Sequence, residues 1–161
     1  MSVVGIEFSG TDRTYAWETV AGSDPFPRWV VSPDIERESV PALVRKVASA
    51  LDRAAPDAVA IAGWSHPAAL AALLWCARKR VPAVVMSESA EIDEPRRPWR
   101  EAVKRRIVRL FSAGLVGGAP HRRYLTALGM DDARVREGYD VIDNDHFAVG
   151  ADIALSFGVQ S

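Results

Sequence analysis

Apolar positions along the chain recur with two periods, and the switches between them predict the elements. Val3 to Phe8 is a short apolar run closed by the turn signal Ser9-Gly10-Thr11, and it reads as a first strand. Arg28 to Ser32, carrying Trp29, Val30 and Val31, is a further strand, and Thr14 to Val20 reads as another short one. From Ser39 the spacing becomes helical: Val40, Leu43, Val44, Val47 and Leu51 share one side, with Ser39 as the cap. Asp57 to Ala62 is a compact buried strand. Pro67 to Arg80 is a helix whose proline stands at an early position, where the missing N–H costs nothing. Val81 to Met86 is again a strand, and Trp99, Val103, Ile107 and Leu110 mark one face of the next helix. Gly114 to Val116 is a very short strand followed by Gly117-Gly118. Pro120 to Leu128 is a helix stopped by Gly129 in a left-handed cap, and Arg134 to Arg136 is the last strand.

Strands that alternate with helices of ten or more residues imply right-handed crossovers and a parallel sheet covered on both faces. The expected fold class is therefore α/β, a doubly wound, mostly parallel, Rossmann-like sheet. Ligands of such folds bind beyond the carboxyl ends of the strands. Those ends here carry Ser9-Gly10-Thr11, Gly63-Trp64-Ser65-His66, Ser87-Glu88-Ser89 and Gly117-Gly118, so four polar or glycine-rich loops should converge on one rim.

Length and composition narrow the setting. At 161 residues the chain is expected to be one domain. A domain of that size buries roughly 70% of its unfolded surface and needs no staples. A formal net charge of −1 gives no sign of a nucleic-acid partner. Cys76 is the sole cysteine, so no intrachain disulfide forms, and its apolar helical setting reads as a buried, inert thiol. These features fit a cytoplasmic protein. The N-terminus lacks the basic-then-apolar pattern of a signal peptide, and the longest apolar run, Pro67 to Cys76, is far short of the roughly 20 residues that span a bilayer. Three histidines and one cysteine show no metal-ligand spacing, so neither a structural metal nor a cofactor is expected.

Each rim element has a chemical reading and a structural one. Glu88 leaves the sheet after Val84, Val85 and Met86, where a carboxylate can orient a sugar hydroxyl or accept its proton; equally, Ser87 and Ser89 can simply cap the next segment. His66 precedes a helix start and can act as base or donor, or only cap the helix end. Trp64 offers a ring to stack on a sugar or a side chain for the core. In GLVGGAPHRRY, a strand, a glycine turn and a helix N-terminus let backbone N–H groups approach an anion, with His121 as helper or as a solvated first-turn residue. The dinucleotide and P-loop fingerprints are both absent, as is the G-x-S-x-G elbow of serine hydrolases. Between Arg96 and Arg109 stand seven cations (Arg96, Arg97, Arg100, Lys104, Arg105, Arg106, Arg109) against one acid, Glu101. That basic amphipathic helix can rest on anionic lipid at the inner face of a membrane, bind a phosphorylated acceptor, or present an ordinary solvated face.

Taken together, PDAVAIAGWSHPAALAALLWCARKRVPAVVMSES, EAVKRRIVRLFSAGLVGGAPHRRYLTALGM and REGYDVIDNDHF resemble the N-terminal half of bacterial family 4 glycosyltransferases of the GT-B type. GYDVIDNDHF is the strongest match, similar to the family's strand, Gly, Asp and following Phe; VGGAPHRRYLTALG is similar to its strand feeding a short helix that ends in Leu-Gly. The resemblance covers Asp57 to Phe147, while Val3 to Trp17 departs from it: GTDRTYAW replaces the glycine pair that leads straight into a helix.

The resemblance implies a single N-terminal GT-B domain, residues 1–147, that binds the acceptor, with 148–161 as the start of an interdomain connection or a C-terminal tail. It implies metal-independent transfer from a nucleotide sugar held by a C-terminal domain, which this chain is expected to lack and without which it is expected to be inactive. Trp64, His66, Ser87, Glu88, Ser89, Arg97 and Lys104 are the expected contacts to a sugar or phosphorylated acceptor. Ser9, Gly10, Thr11, Gly117, Gly118 and His121 are expected on the anion or donor-phosphate side. No residue is assigned as catalytic: many relatives place a histidine where Ser87-Glu88-Ser89 stands. Tyr139, Asp140 and Asn144 are expected to stabilise the turn into the linker. Two other readings stay open, a stand-alone module for a phosphorylated small molecule and a protein-interaction domain. Ile153 to Val159, with Leu155 and Phe157, allows self-association.

Overall fold

The computed structural model describes residues 2–8, 27–32, 37–89 and 97–138. The expected strand at Thr14 to Val20, the loop Ser9-Gly10-Thr11, and Arg96, Tyr139, Asp140, Asn144, Phe147 and the segment 148–161 lie outside the described residues. In chain order the elements are β1 (Gly5–Phe8), β2 (Arg28–Ser32), α1 (Val40–Ala54), β3 (Val59–Ala62), α2 (Pro67–Lys79), β4 (Ala83–Ser87), α3 (Pro98–Val108), β5 (Ala113–Val116), α4 (Ala119–Ala127) and β6 (Val135–Glu137). A 3-10 turn, Asp132–Arg134, leads into β6.

The helices begin and end for identifiable reasons. Each of the four carries a proline at its first or second position, where φ is already helical and no intrahelical donor is lost. Ser39 stands at the cap of α1 in extended backbone, but its hydroxyl makes no capping bond; its carbonyl accepts from the Leu43 amide at 2.9 Å. Ala55 and Arg80 close α1 and α2 in the left-handed region, with φ of 44° and 60°. Gly129, at φ 104°, makes the same reversal after α4, where glycine carries no Cβ penalty.

All described strand pairs are parallel. β1 pairs with β2, and β3-β4-β5-β6 form a second hydrogen-bonded group in sequence order. The fold is thus α/β and Rossmann-like, built of parallel strands and intervening helices. In the second sheet the two faces are buried to different extents. Register places Ile61, Val85, Gly114 and Val135 in one row. With Ala83, Ser87 and Val116 these line one face, and all seven are buried. Ala60 and Ala62 on the opposite face are exposed, and Val84, Met86, Ala113 and Leu115 are half-buried. Among the described residues the core runs from Leu43, Val47 and Leu51 of α1 through Leu73, Trp75 and Cys76 of α2 to Tyr124 and Leu125 of α4, over the first face. Strand order explains this. Successive right-handed crossovers that advance in one direction put their helices on one side of the sheet.

Candidate functional site

Parallel pairing brings the carboxyl ends of β3 to β6 to one edge, and the loops there are stitched together by backbone bonds. The Gly63 amide donates to the Met86 carbonyl at 2.8 Å, and the Gly138 amide to the Val116 carbonyl at 3.0 Å. Gly63 has φ 67°, so it turns the chain out of β3 through a conformation that favours glycine.

In the β3–α2 loop, Trp64 is only 6% exposed and belongs to the core cluster. Its ring anchors the loop from below and offers no free face for stacking. His66 is exposed and caps α2: its Nδ1 accepts the Ala68 amide at 3.2 Å. With Nδ1 an acceptor, a neutral imidazole there carries its proton on Nε2.

At the end of β4 the three polar residues separate. Ser87 is the last strand residue and is 5% exposed, the one buried polar residue of the described core. Its Oγ accepts the Ser89 amide at 3.2 Å, a local turn that satisfies the hydroxyl and bends the chain outward. Glu88 and Ser89 are exposed. Because Ser87 pairs with Val116, Glu88 and Gly117 leave the sheet side by side. At Gly118 the backbone is extended, and an added Cβ would meet nothing nearer than Pro120 Cδ at 4.0 Å. The N-terminus of α4 is therefore open in front of its glycine cap, a geometry in which backbone N–H groups can face an anion. His121, in the first turn of α4, is half-buried. Its Nδ1 is buried and carries no hydrogen bond among the described residues.

Two basic residues expected near the acceptor part ways. Arg97 is exposed at the cap of α3. Lys104 is tied to α4 instead: its Nζ donates to the Tyr124 hydroxyl at 3.0 Å, and that hydroxyl donates to Glu101 Oε1 at 3.2 Å. The Tyr124 hydroxyl first, with Glu101 behind it, holds the Lys104 ammonium above its ordinary range despite partial burial. Among the described residues no group of three or more His, Cys, Asp and Glu side chains converges as a metal site. No described helix is long and apolar enough to cross a membrane.

An open groove of about 560 Å³ lies between β2 and α1, lined by Val30, Arg45, Lys46, Ser49 and Arg53. It lies apart from the strand-end loops that the apolar pattern marks. Arg45, Ser49 and Arg53 recur at helical spacing opposite the apolar side of α1, which is the signal that could have marked it. Two of its cations are engaged, Lys46 with Glu38 and Arg53 over the Trp29 ring at 4.2 Å.

No family model and no curated protein matches the sequence. Solved structures do match in shape. Over 86% of this chain and 35% of the other, it superposes on a UDP-N-acetylglucosamine 2-epimerase from Rickettsia bellii with a TM-score of 0.53 and 19% identity. Over 71% of this chain and 32% of the other, it superposes on a UDP-GlcNAc 2-epimerase from Methanocaldococcus jannaschii with a TM-score of 0.50 and 14% identity. The chain spans about a third of the length of these structures. At this identity the likeness is one of fold: the chain is a Rossmann-like domain of the kind that forms half of a GT-B architecture.

Proposed function

We propose that this chain is the N-terminal, acceptor-side half of a nucleotide-sugar-dependent glycosyltransferase of GT-B architecture. The observation that carries the reading is the rim: parallel strand ends set an exposed Glu88 beside the open Gly117-Gly118 turn and the start of α4. The resemblance of the segments from Asp57 onward to family 4 enzymes supports it, and so does the fold likeness. In this reading a second Rossmann-like domain holds the nucleotide sugar across the cleft, and transfer needs no metal. The residues of this chain bind and orient the acceptor. Glu88 accepts a hydrogen bond from an acceptor hydroxyl, and amides at the start of α4 face an anionic group. His66 and Ser87 hold their loops in shape through the bonds they make to Ala68 and Ser89.

A second reading draws on the two structures named above, each a UDP-GlcNAc 2-epimerase: the rim faces the sugar of the nucleotide sugar itself. Amide-resolved NMR titration of the chain with hexoses, hexose phosphates, inorganic phosphate and UDP-sugars separates the possibilities. The acceptor reading expects hexoses or hexose phosphates to shift the amides of 63–65, 88–89 and 117–118. It expects Glu88→Gln to weaken that binding about tenfold or more with an unchanged Tm, because the side chain is exposed. A response to UDP-sugars alone favours the epimerase-like reading. A response to phosphate alone, insensitive to Glu88→Gln, points to a simple anion module. If no saccharide moves the rim, both sugar readings fall.

A further inference from the structure

Helix α3 carries apolar residues on two sides. Inward, Val108 and, just after the helix, Phe111 enter the core, beside Glu101 and Lys104, which meet Tyr124 of α4. A second apolar stripe faces out. Trp99 is 62% exposed, Val103 49% and Leu110, in the turn just after the helix, 54%. These three recur at i, i+4 and i+11, so they form one outward stripe, with half-buried Ile107 along its edge. The stripe is set among cations. Arg97, Arg100, Arg105, Arg106 and Arg109 are all exposed. By helical position Arg106 lies within the stripe and Arg100 beside it, its guanidinium over the Trp99 ring at 5.4 Å. The one acid between Arg97 and Leu110, Glu101, is turned inward to Tyr124.

An occupant of this face must accept apolar side chains and supply negative charge along some three helical turns. A second copy docked through the same face would set five arginines against five, which like-charge repulsion opposes. The surface is the convex outer side of a helix, with one tryptophan near one end and long arginine stems along it. Interfacial segments combine these two elements: apolar side chains that enter the headgroup–acyl boundary and basic side chains that meet anionic headgroups.

We propose that the outward side of α3 is a docking surface for an anionic phospholipid bilayer, with Trp99, Val103 and Leu110 inserted and the flanking arginines on lipid phosphates. The proposal is independent of what the strand-end rim binds. The test is co-sedimentation of the full 161-residue chain with vesicles of phosphatidylglycerol mixed with phosphatidylcholine, and with phosphatidylcholine alone. Binding is expected only to the anionic vesicles, weakening as salt is raised. Arg100→Glu with Arg106→Glu should weaken it by about a hundredfold or more, since each basic residue near the surface contributes and each reversal acts twice. Trp99→Ala should weaken it about tenfold. All three positions are exposed, so the Tm of each variant should match the parent chain.

A readout on the unaltered chain covers any variant that fails to fold. Trp99 is the most exposed of the described tryptophans, so brominated lipid should quench part of the tryptophan emission. Absence of binding to anionic vesicles overturns the proposal, as does binding that survives both sets of substitutions. Capture of polyglutamate through the same arginines, without vesicle binding, would reassign the face to an acidic protein partner.

Discussion

Gly114 is where β5 and α4 come closest. A Cβ there would overlap the Leu125 Cδ2 methyl and stand 3.1 Å from Met130 Sδ. Leu125 is 1% exposed and Met130 6%, so neither side chain has free space to move into. Gly114→Ala should therefore cost about 1–3 kcal/mol through overpacking, read as a lower urea midpoint at unchanged m-value. An unchanged midpoint would mean that Leu125 finds another rotamer and that α4 is less tightly seated than its burial suggests. A charged residue controls a different contact. Asp52 of α1 accepts the Trp75 indole N–H at 3.1 Å and forms an ion pair with Lys79 at 2.8 Å, both on α2. Lys79 first and Trp75 second hold the Asp52 carboxyl below its ordinary range. Its charged form is thus favoured in the fold. The resulting stability is present above the unfolded value near 3.9 and is lost as pH falls through the lower folded value. Thermal melts in the acid range should show Asp52→Asn flattening part of the decline, with little pH-dependent difference from the parent well above it. If the two acid limbs are parallel, the pair is a solvated surface contact without linkage.

Helix packing turns on which side of each helix the neighbours require. The α3–α4 contact is made through a hydroxyl: Tyr124, 4% exposed, stands between Lys104 and Glu101, whose own charges are 3.5 Å apart. Tyr124→Phe keeps the ring and removes the bridge, leaving two half-buried charges with fewer partners. A loss of about 1–2 kcal/mol is expected, and a smaller effect would show that the direct Lys104–Glu101 pair suffices. This contact also explains what the sequence could and could not disclose. For α1 the apolar period coincides with burial, so Leu43, Val47 and Leu51 were legible as core. For α3 the same reasoning chose Trp99, Val103, Ile107 and Leu110 as one face without saying which way it turns. The deciding partner, Tyr124, is a polar tip on another helix, and no local periodicity reports it. At the rim, the loops were legible from strand order, but the separate fates of neighbouring residues were not. Trp64 falls into the core and Ser87 turns inward, while Glu88 stays out; each outcome depends on the register of β4 against its neighbours and on the helices beneath.

At the scale of the whole molecule, the hydrogen-bonding pattern predicts unequal stability. β4 and β5 are each paired on both sides, and their Val85 and Val116 are fully buried. Opening either strand breaks two ladders and exposes the core face, which amounts to unfolding the domain. β1 and β2 pair only with each other among the described residues. An isolated two-stranded pair is marginal in water, and among the described residues this one is held to the rest by modest contacts. Ile6 packs against the core while half-buried, and the Arg53 guanidinium lies 4.2 Å from the Trp29 centroid. A cation–π contact of that kind contributes about 0.5–1 kcal/mol, against a global stability on the order of 5–15 kcal/mol. The β1–β2 pair should therefore open sub-globally. Native-state hydrogen exchange is expected to show β4 and β5 amides exchanging only with global unfolding, and β1–β2 amides exchanging about a hundredfold faster or more. Arg53→Ala should speed β1–β2 exchange by about two- to fivefold and leave β4 and β5 almost untouched, because its loss affects the closed form of one sheet and not the other. Equal protection across the two sheets, or equal acceleration by Arg53→Ala, would show instead that α1 couples them into one cooperative unit.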